Sequence, residues 1–284
     1  MSRPTFALQA IVGILAVALA AIAPTPAAAQ SLWMQRDADH TVALEFLRPS
    51  LEGVDSDVLS GAYFLSGRTA LSPRIALVGE LPYVSHSSTQ TFTDFLGNEI
   101  TESVSSSTIG NPYVGMEARL GNGPAFLELG ARPPLASDEE FEAFVTGVVS
   151  DVTRFATFLP DAASIQMAVN LREITPSNLV YRLRICPTVL IPTGDNSGDT
   201  ELLTMYSFQI GYHGRVARVG GGMSGMALVT EDSGNLGSRT RNQLEIHADF
   251  LPGPIRPGLD LHLPLGNEAE LAPAVVGVSV SWTK

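Results

Sequence analysis

After residue 39 the sequence alternates apolar and polar residues with a period of two over most of its length, and this pattern limits the fold more than any other feature. Residues 113–120 are the clearest example. Val114, Met116, Ala118 and Leu120 share one face of this segment, and Tyr113, Gly115, Glu117 and Arg119 share the other. Because successive side chains of a strand point to opposite faces, the pattern predicts β-strands with one apolar and one polar face. It recurs at 125–132, 165–172, 179–186, 243–250, 259–265 and 276–282.

The connections between these segments alternate in length. Strands are predicted near residues 40–49, 57–66, 73–83, 107–120, 124–133, 163–173, 178–191, 200–212, 215–229, 240–251, 255–265 and 273–283. Short connections alternate with longer ones such as 84–106 and 134–162. Short turns at one end, longer loops at the other and an even strand number are typical of bacterial outer-membrane barrels. The sequence therefore predicts an all-β fold, an antiparallel transmembrane β-barrel of about twelve strands with both termini in the periplasm.

The charges on the polar faces indicate which way each strand faces. An arginine or lysine that faces lipid costs roughly 2–4 kcal/mol at the middle of the bilayer. The charged residues are therefore predicted to line the lumen, where opposite charges can pair. The predicted lumen-lining residues are Glu80, Glu117, Arg119, Glu128, Arg132, Arg182, Arg184, Glu245 and Asp249, with Arg74, Arg172 and Asp260 as further members.

The first 29 residues have the order of a secretory signal peptide. Arg3 precedes an apolar run at residues 7–23, after which two prolines and three consecutive alanines follow. The run is short for a membrane-spanning helix of roughly 20 residues. We expect cleavage after Ala29, which leaves residues 30–284 as a single barrel domain.

Composition narrows the range of partners. The mean hydropathy of +0.18 is high for an exported chain without a second long apolar run, so an apolar outer surface in contact with outer-membrane lipid is expected. The net charge of −12 becomes −13 once Arg3 is removed, because residues 1–29 contain no Asp or Glu. An acidic chain is a poor ligand for nucleic acid. Cys186 is the only cysteine, so no internal disulfide can form, and no cofactor is expected.

Three groups of polar residues are candidate binding sites, and each has a simpler structural interpretation. Arg182 and Arg184 could attract anionic solutes, or they could pair with glutamates across the wall. Residues 195–199 form an oxygen-rich loop that lacks the closing glutamate of a Ca²⁺-binding EF-hand and is expected to be a polar turn. The three histidines predicted to face the lumen are expected to be hydrogen-bonded wall residues, so no metal site is predicted; they are His213, His247 and His262.

The C-terminal segment, residues 275–282, resembles the β-signal that the outer-membrane assembly machinery reads. A glycine, Gly277, is followed by alternating apolar and aromatic positions that end at Trp282. Thr283 and Lys284 follow, whereas the signal usually ends on its aromatic residue. The resemblance implies that the barrel assembly machinery is a partner through the last strand.

A second resemblance covers about the first half of the mature chain. Residues 64–68 (Phe-Leu-Ser-Gly-Arg), 75–83 (Ile-Ala-Leu-Val-Gly-Glu-Leu-Pro-Tyr) and 109–115 (Ile-Gly-Asn-Pro-Tyr-Val-Gly) look like the outer-membrane transporters grouped with the phenol meta-cleavage-pathway proteins. The resemblance implies a barrel and the uptake of small apolar or aromatic compounds. It implies no catalytic residues.

One segment, residues 137–160, departs from the strand pattern. Ser137 is a predicted helix N-cap, with Glu140 in the capping-box position, and Pro160 ends the element. The apolar residues between them recur at helical spacing and predict an amphipathic helix in an external loop. Its polar face is acidic, which disfavours an anionic membrane surface. We expect the helix to cover or constrict the mouth of the barrel, with Phe141, Phe144 and Val148 against loop or wall side chains; a structural brace at the rim is the alternative.

Three functions remain open at this point. The first is a porin-like channel or transporter for small apolar or anionic solutes in the outer membrane of a Gram-negative bacterium. The second is a plugged structural or adhesive barrel, and the third is an outer-membrane hydrolase of the phospholipase type. No His-x-Ser-Asn-Gly segment occurs, and residues 222–226 break the Gly-x-Ser-x-Gly pattern, so the protein is not expected to be an enzyme.

Overall fold

The computed structural model describes residues 39–51, 56–93, 99–194, 198–230, 239–266 and 268–284, so the predicted signal peptide and residues 195–197 of the oxygen-rich loop lie outside it. The strands are β1 (His40–Pro49), β2 (Gly61–Ser72), β3 (Ile75–Thr93), β4 (Glu99–Ile109), β5 (Tyr113–Arg119), β6 (Ala125–Arg132), β7 (Ala162–Ile174), β8 (Leu179–Pro192), β9 (Glu201–His213), β10 (Ala217–Leu228), β11 (Thr240–Phe250), β12 (Ile255–Leu265) and β13 (Val275–Thr283). The helices are α1 (Phe141–Ser150), a 3₁₀ helix (Val152–Thr157) and α2 (Glu268–Leu271). Within these ranges, no helix has the length and apolar character needed to cross a bilayer.

The strands form one antiparallel sheet that closes on itself. β1 pairs with β2 on one side and with β13 on the other. β4 and β5 both pair with β3, β5 along residues 75–80 and β4 along residues 83–93. They are therefore two halves of one interrupted strand, and the wall has twelve strands. The predicted twelve-stranded antiparallel barrel is confirmed.

Two predicted strand boundaries in the first half of the barrel are wrong. The second strand, predicted at 57–66, runs from Gly61 to Ser72, where pairing with β1 and β3 fixes it. The loop predicted at 84–106 is largely a hairpin, in which residues 83–93 of β3 pair with residues 99–109 of β4. Serine and threonine dominate this hairpin, so no apolar face marks it in the sequence.

Pro187 lies inside β8 and leaves the register of the strand unchanged. The pairs Gln166–Thr188 and Val169–Ile185 keep one register on either side of a gap in the ladder between β7 and β8. Proline has no N–H to donate to a neighbouring strand, so the ladder is interrupted at this point. The strand therefore continues through the proline without a β-bulge.

The two faces of the wall are inverted relative to those of a soluble protein. On β5, Val114 and Met116 are 61% and 50% exposed, whereas Glu117 is 1% exposed. On β11, Leu244 is exposed and Glu245 is buried. An apolar surface this extensive marks contact with a membrane. A closed barrel also satisfies its backbone hydrogen bonds internally, as a membrane-spanning sheet must. The fold is therefore a transmembrane β-barrel.

The short turns and both ends of the described chain lie at one end of the barrel. His40 and Lys284 exchange backbone hydrogen bonds, with N···O distances of 3.3 and 3.0 Å. The turns that follow β2, β5, β7, β9 and β11 lie at the same end, and the longer connections lie at the other. In outer-membrane barrels the end with short turns faces the periplasm.

The connection between β6 and β7, residues 133–161, folds into the barrel, and we call it the insert. Its helix α1 contacts β1, β2, β3 and β4, and its 3₁₀ helix contacts β10 and β11. These two sets of strands lie on different sides of the barrel. The insert therefore spans the lumen and lies deeper in the barrel than a helix that only covers the rim would.

The helix in the insert begins later than predicted. The Ser137 hydroxyl accepts a hydrogen bond from the backbone N–H of Glu139 at 3.2 Å, so it closes a turn ahead of the helix. Glu140 occupies the N-cap position and makes no capping bond through its side chain. Instead, the Ser106 hydroxyl of the wall accepts a hydrogen bond from Ala143 N–H at 2.9 Å. A wall residue thus satisfies an amide group of the first helical turn that the sequence assigned to a local cap.

Candidate functional site

A cluster of buried charges lies where the insert crosses the lumen. The guanidinium of Arg154 is 2.6 Å from Glu45 on β1, 3.2 Å from Glu80 on β3 and 3.7 Å from Asp151 in the insert itself. Glu80 is also 2.7 Å from Arg132 on β6. All five side chains are buried. We call these five residues the charge cluster.

The charge cluster holds the insert inside the barrel. Burial alone would lower the pKa of Arg154, but its three carboxylate neighbours outweigh burial and raise that pKa above its ordinary value, so the arginine stays charged. The Arg154 Cζ atom also lies 3.9 Å from the centre of the Phe64 ring, in a cation–π contact. Removing one partner of a buried ion pair leaves an uncompensated charge at a cost of about 3–5 kcal/mol. Arg154 therefore strongly favours the position of the insert within the lumen.

Asn111 attaches both ends of the insert to the wall. It lies between β4 and β5 and is fully buried. Its side-chain carbonyl accepts hydrogen bonds from the backbone N–H groups of Leu135 and Ala136, at 2.7 and 2.8 Å. Its side-chain NH₂ group donates to the carbonyl oxygens of Leu159, at 2.7 Å, and Ala156, at 3.2 Å. The part of the insert that precedes α1 and the part around the end of its 3₁₀ helix are thus held by one amide group.

Close packing explains the glycine next to Asn111. A Cβ atom added to Gly110 would lie 2.7 Å from the Thr157 carbonyl oxygen and 2.8 Å from the Phe158 ring. Contacts this short require the insert to move away from the wall. The Ile-Gly-Asn-Pro motif at residues 109–112 is therefore the docking point of the insert.

Apolar contacts hold the insert on the side of α1. Phe158 is 1% exposed and packs against a wall cluster that includes Leu47 and Phe64, and Phe144 and Val148 pack against the same cluster. Phe141 is 66% exposed, so the expectation that it packs against the wall is wrong. The reason is that α1 turns its small side chains inward, which allows close approach; its buried residues are Ala143, Thr146, Gly147 and Ser150.

A second apolar cluster holds the other side of the insert. Val152, Phe155 and Leu159 pack against buried residues that include Met205 of β9 and Met226 of β10. The insert is thus held by an apolar cluster on each side, with the charge cluster as its ionic attachment.

Several predicted lumen residues pair with an opposite charge on the wall. Glu117 is 3.1 Å from Arg68, and Asp249 is 2.6 Å from Arg218. Arg119 lies at the end of β5, where it is exposed and stacks over a neighbouring phenylalanine ring at 5.7 Å. These pairs neutralise much of the inward-facing charge.

Glu128 is the centre of a second buried network. It accepts hydrogen bonds from the Tyr113 hydroxyl at 2.7 Å and from Arg184 at 2.9 Å. Arg184 also donates to the Asn170 side chain at 2.8 Å. Its neighbour on the same face, Arg182, lies 3.4 Å from the Gln209 side-chain oxygen. For Arg184, the geometry is that of a structural ladder between strands.

One small cavity inside the barrel is lined mainly by polar side chains, and we call it the central cavity. It leaves about 30 Å³ for the centres of water molecules, which is room for about two waters. Its lining includes two members of the charge cluster, and Glu245, His247, Asp260 and His262. Among the described residues, no group of three or more His, Cys, Asp or Glu side chains is arranged to hold a metal ion.

A histidine and a serine meet where α1 packs on the hairpin of β3 and β4. The two ring nitrogens of His86 lie 3.0 Å from the Ser88 hydroxyl and 2.9 Å from the Thr146 hydroxyl of α1. A serine next to a histidine whose other nitrogen is held is the arrangement of an activated nucleophile. Here both side chains are buried under the insert, at 4% and 3% exposure, and a hydroxyl occupies the place of the usual carboxylate.

The sequence pattern does not indicate the roles of several residues of the site. Glu45 and Arg68 lie on strands whose polar faces carry few charges. Arg154 is the one basic residue on the otherwise acidic polar face of the predicted helix, and its wall partners are far away in the sequence. Asn111 was part of a motif to which no structural role was assigned. His86 was placed in a loop, although the pair His86–Ser88 has the spacing of residues on one face of a strand.

Comparison with known proteins supports the fold. No sequence profile of a protein family matches the chain, and no curated protein sequence matches it. An outer-membrane channel from Pseudomonas putida F1 superposes with a TM-score of 0.51 at 9% identity, over 92% of this chain and 99% of that chain. LpxR from Salmonella typhimurium superposes with a TM-score of 0.50 at 9% identity, over 86% of this chain and 100% of that chain. With its apolar outer belt, the protein is an outer-membrane β-barrel.

Replacing Arg154 by methionine is expected to release the insert while the barrel stays closed. Within the described part of the chain, Glu45 loses the one cation at ion-pair distance and Glu80 keeps Arg132, so the insert loses its ionic attachment. Chymotrypsin should then cut at Phe155 and Phe158, which are shielded in the native protein. The measurement is digestion in detergent followed by mass spectrometry, with gel mobility before and after boiling as the check on the barrel.

The Arg119→Met variant is the matched control, because Arg119 is exposed and should leave the insert protected. Protection should return in part in the double variant Arg154→Met, Glu45→Gln, which removes the uncompensated carboxylate. An insert that stays protected in Arg154→Met would contradict the role given to the charge cluster.

Proposed function

We propose that this protein is a narrow channel for small solutes, and that the insert closes the lumen in the conformation described. The observation that carries the proposal is the placement of the insert: it spans the lumen and is held by Arg154, Asn111 and two apolar clusters. A barrel of about 8 strands is filled by its own side chains, whereas one of about 16–18 holds an open aqueous channel. A wall of twelve strands lies between, so a mobile segment can decide whether a passage exists.

The polar lining of the remaining space supports passage of water-soluble molecules. Apart from Met205, the residues around the central cavity have charged or hydrogen-bonding side chains, which can solvate a polar solute. The resemblance to the transporters grouped with the phenol meta-cleavage-pathway proteins favours small apolar or aromatic solutes. An anionic solute is less well supported, because Arg184 is engaged by Glu128. The polar lining therefore favours small polar solutes, and measurements of conductance with different solutes identify the class.

The main alternative is a plugged barrel with a structural or adhesive role. The density of ion pairs around Arg154 favours it, because buried networks of this kind keep a segment in one place. In that case the insert stabilises the barrel and the external loops perform the function.

Deleting residues 138–158 and joining the ends with a short Gly/Ser turn separates these two functions. If the insert closes a channel, recordings in planar bilayers should change from the brief openings of the full-length protein to a continuous, low conductance. A smaller increase in conductance is expected from Phe158→Ala. This residue is buried between the wall and α1, so its loss loosens the insert.

The control is Phe141→Ala, at the exposed phenylalanine of α1 in the same insert, which should leave the conductance unchanged. A deletion variant that still migrates as a folded barrel but passes no current would contradict the channel proposal and favour the structural role.

A second candidate function is hydrolysis, which the contact between His86 and Ser88 favours. We propose that the protein is not an enzyme, because this pair is buried and its histidine is held by a hydroxyl. Ester hydrolysis by the intact protein and by Phe158→Ala, in which the insert is loosened, should equal that of the matched Ser88→Ala variants. Activity that depends on Ser88 would contradict this proposal.

A further inference from the structure

Two buried carboxylates that line the central cavity make no ion pair with a basic side chain among the described residues. Glu245 of β11 is 6% exposed and accepts hydrogen bonds from three neutral side chains, Gln209 at 2.6 Å, Gln243 at 2.9 Å and Ser224. Asp260 of β12 is 7% exposed, and its Oδ2 atom has no hydrogen-bond partner among the described residues. The other carboxylates of the lumen discussed above each have an arginine within ion-pair distance. These two therefore stand apart from the paired charges of the wall.

Two histidines complete the arrangement. In the register between β11 and β12, Glu245 lies opposite His262, and His247 lies opposite Asp260. Both histidines are buried, at 4% and 5% exposure, and both line the central cavity. Within the described part of the chain, the Nδ1 atom of each has no hydrogen-bond partner. With the proton on Nε2, Nδ1 is an acceptor, so the four residues that line this cavity include both oxygen and nitrogen acceptors.

The surroundings of Asp260 are acidic. Glu45, Asp249 and Glu245 lie close enough to interact unfavourably with its carboxylate, and Arg154 is the cation among its main electrostatic neighbours. Burying several carboxylates in one region is costly unless positive charge compensates them. Arg154 already supplies one such cation to Glu45 and Glu80, from the insert. A second cation next to Asp260 would offset the remaining repulsion.

We propose that the central cavity binds the primary ammonium group of a small solute through Asp260 and Glu245. An ammonium group has three N–H donors, which match a mixed set of carboxylate oxygens and imidazole nitrogens. Alkali and alkaline-earth ions prefer sets made of oxygen alone. The room for about two water molecules sets the size of the bound group to an ammonium with one or two carbon atoms.

This assignment rests on the proposed channel only for the route by which a solute arrives. Binding itself requires the cavity and the insert, not conduction. The proposed ligands of the site are small amines, a solute class that the resemblances in the sequence do not suggest.

The test is thermal unfolding of the full-length mature barrel in detergent, followed by the loss of the compact gel band. Methylammonium chloride is the probe. Sodium chloride and tetramethylammonium chloride at equal concentrations are the salt controls, since neither supplies N–H donors. Because a ligand of the native state stabilises it by mass action, methylammonium alone should raise the melting temperature in a saturable way. Asp260→Asn and Glu245→Gln should each weaken the apparent affinity at least tenfold, whereas Glu173→Gln, at an exposed carboxylate, should not.

Three results would overturn the assignment. Equal stabilisation by sodium would indicate a site for a hard cation. An unchanged methylammonium response in Asp260→Asn would show that the carboxylate does not bind the probe. A lower melting temperature of Asp260→Asn without any ligand would show that Asp260 has a structural partner, because removal of an uncompensated carboxylate should leave the apo barrel as stable or more stable.

Failure of this site and failure of the channel can be told apart. A protein that conducts after deletion of the insert but whose full-length form does not respond to methylammonium disproves only the amine site. A protein that binds methylammonium but passes no current after the deletion disproves only the channel.

Discussion

The ion pairs of Arg154 are the interaction on which the closed lumen depends. A wall of twelve strands encloses more space than its own inward side chains fill, so the insert supplies the missing volume. A polar segment inside a barrel is stable only if its charges and backbone groups find partners there. Arg154 brings a positive charge to both Glu45 and Glu80. Among the paired residues of the wall, Arg132 contacts Glu80. The apolar clusters on either side contribute to the burial of these pairs, and burial strengthens an ionic interaction.

The parts of the fold that the sequence predicts are those governed by one strong local rule. Strands such as β5 and β13 have lipid on one side and a polar lumen on the other, which requires strict alternation of apolar and polar residues. The sequence therefore shows both that these segments are strands and which of their side chains face the lipid. The alternation of short and long connections gives the strand number and the topology. The rule weakens where a strand leaves the bilayer. The hairpin of β3 and β4 is rich in serine and threonine on both faces, and the sequence predicts a loop there.

The arrangement of the site depends on contacts between residues far apart in the sequence. Asn111 joins residues 135–136 to residues 156–162, and neither partner is visible from the motif that contains it. The helical spacing of large apolar residues correctly indicates a helix in the insert, but close approach to the wall selects the small residues around Gly147 for the buried face, which leaves Phe141 exposed. Pairing partners such as Arg68 for Glu117 follow from the curvature of the barrel. The sequence predicts that such charges are inside and leaves open which ones meet.

The most direct test of the account is to lock the insert to the wall with a reversible bond. The Ser106 hydroxyl lies 2.9 Å from the backbone nitrogen of Ala143, so cysteines at these two positions of β4 and α1 should reach disulfide distance. In a Cys186→Ser background, the double variant Ser106→Cys, Ala143→Cys is recorded in planar bilayers under oxidising and reducing conditions. We expect channel openings in the reduced protein, their loss on oxidation and their return when reductant is added. Equal current in both states, or no current in either state from a folded barrel, would contradict the claim that the insert is the closed gate of a channel.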